Sequence, residues 1–122
     1  MALDPALRDR LARLGEGRTP PALVLECSYV NGLSAIRQLA QDSIPVVAMD
    51  HRSAALGLRS RMAVPVLGPP PGEREAFAEH LAEVCAALGR DAVAFPTHDD
   101  HLVAVNDAAA DRKSTRLNSC HT

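Results

Sequence analysis

The chain has no tryptophan, one tyrosine, two phenylalanines and a single lysine. With 2% aromatic residues and a formal charge of −2, it offers neither stacking rings nor a basic stripe, which argues against nucleic acid as a partner. No apolar run is long enough to span a bilayer, so no membrane role is expected. Met1 to Arg10 mixes Asp4 and Asp9 with Arg8 and Arg10 and lacks an apolar signal core, so a cytoplasmic location is expected. Cys27, Cys85 and Cys120 are odd in number and have no CxxC spacing, which points to reduced thiols over a disulfide framework or a zinc site. A length of 122 residues suits one domain with a modest core.

What is present is an alternation of short apolar runs with helical patterns. Ala22–Leu25, bounded by Pro20-Pro21 and Glu26-Cys27-Ser28, reads as a strand buried on both faces. After Gly32 the spacing turns helical, with Leu33, Ile36, Leu39 and Ala40 on one stripe, and Ile44–Met49 is a second strand followed by Asp50. Two buried strands joined this way imply a right-handed parallel crossover. His51–Arg59 is a weakly helical connection broken by Gly57, and Met62–Val66 reads as a third strand whose Pro65 favours a sheet edge. Glu73–Leu88 carries Phe77, Leu81, Val84, Cys85 and Leu88 at helical spacing, with Gly89 as its stop. Asp91–Pro96 is the fourth strand, and Leu102–Ala110 begins a further helix. At the other end, Asp4 can cap a short helix entered by Pro5 and lined by Leu7, Leu11 and Leu14.

The expected fold is therefore α/β, a Rossmann-like open parallel sheet of about four strands, in order 3-2-1-4, with helices on both faces. Residues 1–20 form an N-terminal helix and linker, and residues 21–110 form the domain. Residues 111–122, DRKSTRLNSCHT, differ in character and hold the only lysine, Lys113. This string closely resembles the in-frame translation of a sequencing-library adapter, with Cys120 where that translation carries serine. It is read as a non-native tail, and the native protein is expected to continue past Ala110.

In a 3-2-1-4 sheet the ligand crevice lies beyond the carboxyl ends of strands 1 and 4, so the loops Glu26–Gly32 and Thr97–His101 face each other. Gly32 allows close backbone approach, and Asp50 stands where a dinucleotide fold holds a ribose hydroxyl. The G-x-G-x-x-G fingerprint is absent, however, so against a dinucleotide Gly32 is better read as letting the helix pack close to the strand, while a contact of this loop with some other ligand is still expected. His98-Asp99-Asp100-His101 suggests a metal, but spacing places no third ligand, and an aspartate there can cap the next helix. Cys27 has no histidine fixed beside it as a base, so no catalytic residue is assigned. Arg59 and Arg61 can grip a carboxylate or phosphate, or form a solvated turn.

VNGLSAIRQLAQDSIPVVAMDH, then LRSR, the Pro-rich loop, the long helix and AFPTHDDHLVAV together resemble the N-terminal, pre-ATP-grasp domain of ATP-grasp carboxylate–amine ligases. The group of predicted ATP-dependent carboligases related to D-aspartate ligase is the most similar in pattern. The resemblance implies that the parent enzyme joins a small-molecule carboxylate to an amine through an acyl phosphate, using ATP and magnesium held by later domains. It implies no cofactor or metal on this segment. It places Asn31, Gly32, Thr97, His98 and Asp99 on a substrate or interdomain cleft, and Asp50, Arg59 and Arg61 also lie in segments similar to the family's, in a contact or a structural role. The alternative is a free-standing Rossmann-like module binding a nucleotide or small anion. A receiver-like domain fits less well, since the acidic cluster after strand 1 and the lysine after the last strand are missing.

Overall fold

A computed structural model describes residues 3–28, 30–90, 92–96, 103 and 120–121. At its centre is β1 (Ala22–Leu25), every residue of which is buried. β2 (Val46–Asp50) pairs with one side of β1 and β4 (Ala92–Pro96) with the other, both parallel. β3 (Val64–Leu67) pairs in parallel with the outer side of β2. The four strands run in the order 3-2-1-4. Pro65 thus sits on a strand at the sheet edge, where its missing N–H is tolerated.

Successive side chains point to opposite faces, and each face has its own core. Leu23, Leu25, Val47, Met49, Val64 and Val66 face α1 (Pro5–Leu14) and α3 (Arg74–Leu88). Val24, Val46 and Ala48 face α2 (Val30–Gln41), which buries Ile36 against them. The expected α/β architecture, with helices on both faces of an open parallel sheet, is what the chain adopts.

Several boundaries shift by a residue or two. α2 begins at Val30, and β2 begins at Val46 after Ser43 turns through a φ of 62°. Asp4 stands at the α1 N-cap, but its side chain makes no capping bond; its carbonyl accepts the Arg8 N–H at 2.9 Å. Gly89 closes α3 in the left-handed conformation, its N–H donating to the carbonyls of Cys85 and Ala86. The 51–59 connection condenses into one 3₁₀ turn, Leu56–Arg59.

Two features carry no signature in the sequence. Cys85 is joined in a disulfide while Cys27 is a free, buried thiol, so the expectation of three reduced thiols is corrected; spacing along the chain does not report pairing in space. Cys120–His121, in the segment read as foreign, adds a two-residue parallel strand, β5, beside β4. A free edge offers unpaired N–H and C=O groups to whichever segment lies beside it, so this pairing says nothing of the tail's origin. The helix expected over Leu102–Ala110 lies outside the described residues apart from Val103.

α1 belongs to the core. Leu11 is fully buried, Leu7 and Leu14 pack beside it, and Arg90 donates to the carbonyls of Gly17 and Arg18, holding the linker down. Leu11→Ala is expected to lower stability by about 2–5 kcal/mol in urea denaturation. An unchanged midpoint would show that α1 is not part of the cooperative unit.

Candidate functional site

The parallel pairing of β1 with both neighbours aligns three carboxyl ends, with Leu25 opposite Met49 and Pro96. At this end the chain leaves β1 through Glu26, which is buried and holds a φ of 64°. A non-glycine residue in the left-handed region is strained and persists only where its surroundings fix it. Here the Glu26 N–H donates to the Met49 carbonyl at 2.8 Å, and its carboxylate lies 3.7 Å from the Arg52 guanidinium.

Asp50, the last residue of β2, organises the strand exits around it. Its Oδ2 accepts the Cys27 N–H at 2.8 Å and the Ser28 hydroxyl at 2.7 Å, while Oδ1 accepts the Arg52 N–H at 2.9 Å. His51 Nδ1 lies 3.7 Å from the same Oδ1. The Asp50 side chain is fully enclosed. Burial alone would raise its pKa, but the bonds from Ser28, Arg52 and Cys27 and the nearby His51 outweigh it and hold the carboxyl below its ordinary 3.8. The Asp50 carbonyl also accepts the Gly68 N–H at 3.0 Å, so one residue joins the exits of β1, β2 and β3.

The neighbouring groups take their places from this arrangement. Cys27 is fully buried, and burial, aided by the charges of Asp50 and Glu26, pushes its thiol up to about 12. Such a thiol is not a nucleophile at neutral pH. Gly32 sits in the first turn of α2 directly over the loop, where an added Cβ would lie 2.7 Å from both Cys27 Cα and the Glu26 carbonyl oxygen. Close packing is therefore what this glycine provides. Asn31, beside it, faces solvent.

Comparison with protein-family models, with curated proteins and with solved structures gives no match. The site is therefore read on its own geometry. Asn31 and Gly32 stand together in the first turn of α2, with Gly32 against Glu26 and Cys27 of the β1 loop. Thr97, His98 and Asp99 lie outside the described residues. Arg59 and Arg61 are separate from this group and converge with Arg37 of α2 along a groove. Among the described residues no three His, Cys, Asp or Glu side chains come together to hold a metal, and no helix is long and apolar enough to cross a membrane.

Ser28 and His80 are hard to single out from sequence alone. Ser28 is one of many loop serines until the fold brings it to Asp50, 22 positions away. His80 falls on the buried face of α3, and both its ring nitrogens are enclosed without a hydrogen-bond partner. It borders a cavity of about 10 Å³ together with Asp50, His51, Gly68 and Phe77. That is the size of one water, so no substrate enters there.

Burial holds His80 below its ordinary pKa of 6.5, and the Glu83 carboxylate only partly opposes this. The unfolded chain therefore takes up a proton at this residue before the folded chain does, and stability declines as pH falls below 6.5. Asp50, with its pKa lowered, withdraws its contribution only below pH 3.8. Urea midpoints are expected to fall between pH 7.5 and about pH 5 in the native sequence and to change much less in His80→Leu. Equal slopes in the two proteins would remove His80 as the cause.

Proposed function

We propose that this chain is the N-terminal, pre-ATP-grasp-type portion of an ATP-dependent carboxylate–amine ligase and forms one wall of its substrate cleft. The observation that carries the reading is the junction of β1 and β4. There the strand order reverses, with β2 and β3 on one side of β1 and β4 on the other, at the carboxyl edge of a 3-2-1-4 sheet. Ligands of open parallel sheets collect at such a point. Asn31 supplies an exposed polar side chain on the connection that follows β1, and Thr97, His98 and Asp99 follow β4 directly in the sequence.

The inward turn of Asp50 weighs against a dinucleotide site. Both its oxygens already accept bonds from this chain, so it does not offer a ribose hydroxyl the free carboxylate that such a fold needs. Glu26, the other carboxylate at this end, is buried against Arg52. Neither is placed to hold magnesium, and the described residues do not fit an ATP site. ATP and magnesium are accordingly assigned to other domains of the parent enzyme, where the resemblance implies that ATP activates the carboxylate as an acyl phosphate before the amine displaces phosphate. This chain's part is to position the small-molecule acceptor through Asn31 and the segment after β4.

Magnesium-ATP is expected to leave the amide resonances of Cys27, Asn31 and Gly32 unshifted; saturable shifts at these positions would contradict the assignment. In the protein encoded by the uninterrupted gene, ADP release is expected only when a carboxylate and an amine are both supplied. Asn31→Ala is then expected to raise the acceptor KM by about two- to tenfold, the worth of one hydrogen bond. A gene that encodes no ATP-grasp region after Ala110 would favour the free-standing binding module instead.

A further inference from the structure

The groove beside α2 is a second site. Leu33 and Arg37 are four residues apart and so share one face of α2. The 3₁₀ turn lies alongside because Gly57 is pressed onto the β1 loop. Its N–H donates to the Cys27 carbonyl at 2.8 Å, and a Cβ on it would be 2.2 Å from Cys27 Cβ. This contact brings Leu56, Arg59, Ser60, Arg61 and Met62 opposite α2 around a groove of about 330 Å³. That volume falls at the lower end of small-molecule sites, which span about 300–1,000 Å³.

The lining has an unusual composition. Among the described residues, Arg37, Arg59 and Arg61 make no ion pair and no acidic side chain borders the groove. Ser60 Oγ accepts the Met62 N–H at 3.2 Å, which orients the hydroxyl and leaves its proton to donate outward. Leu56 and Met62, 49% and 54% exposed, present apolar surface beside these cations. Three guanidinium groups with no internal counter-charge suit a dianion, and their planar forks match phosphate oxygens bidentately.

We propose that this groove binds a small organic phosphate monoester, its phosphate among Arg37, Arg59, Arg61 and Ser60 and its apolar portion against Leu33, Leu56 and Met62. The site is formed by α2 and the β2–β3 connection, so it stands apart from the ligase reading, and either can fail without the other.

The test is titration of the 122-residue protein at low ionic strength with phenyl phosphate and, separately, inorganic phosphate. Phenyl phosphate is expected to bind saturably and more tightly than inorganic phosphate. Arg37→Gln and Arg59→Gln, both at exposed positions and checked for native circular dichroism, are expected to weaken it about tenfold or more each, as loss of a charge-assisted hydrogen bond does. Leu56→Gln is expected to weaken phenyl phosphate while leaving inorganic phosphate unchanged. Absence of saturation, arginine variants that bind as well as the native sequence, or equal affinity for the two phosphates would each overturn the proposal.

Discussion

One buried carboxylate holds the carboxyl end of the parallel sheet together. Asp50 gathers two backbone N–H groups and a hydroxyl on its oxygens, and its carbonyl takes a fourth donor from Gly68. Bonds to a charged acceptor contribute about 1.5–3 kcal/mol each, roughly twice the neutral value. Three of them offset the burial of the charge and leave Asp50 ionised. Because the donors come from the exits of β1 and β2, the carboxylate fixes where the β1 loop lies over the sheet.

Other features depend on that position. Glu26 keeps its left-handed backbone because its own N–H and that of Cys27 are tied to β2. Cys27 is driven inward, where its thiol stays protonated and its carbonyl receives the Gly57 N–H. Gly32 and Gly57 then close upon Cys27 from two directions, each with no space for a side chain. The first contact sets Asn31 on the solvent side of the β1 loop, and the second sets Arg59 and Arg61 across from Arg37. The start of α2 and the arginine-lined groove thus share one anchor.

The sheet is legible in the sequence because its strands are short apolar runs flanked by turn residues, and its helices repeat at their own period. Ala22–Leu25 matches to the residue, and Pro65 points to the edge of the sheet. The close contact at Gly32 is legible too. Other aspects are hidden because they depend on spatial neighbours: Ser28 reaching Asp50, Arg37 joining Arg59, His80 enclosed without a partner, and the Cys85 disulfide. Arg59 and Arg61 stand out in the sequence as a paired-arginine turn, but only the fold brings Arg37 to the same groove. Thr97, His98 and Asp99 rest on the resemblance and on their place after β4.

Hydrogen exchange at the Cys27 and Arg52 amides in Asp50→Asn probes the anchor directly. The replacement keeps the shape and removes the charge, turning one acceptor oxygen into a donor that confronts N–H or O–H groups. Faster exchange at one or both amides is expected, with a stability loss of about 2–4 kcal/mol from unsatisfied buried donors. Native protection at both amides with unchanged stability would contradict the anchoring role of Asp50.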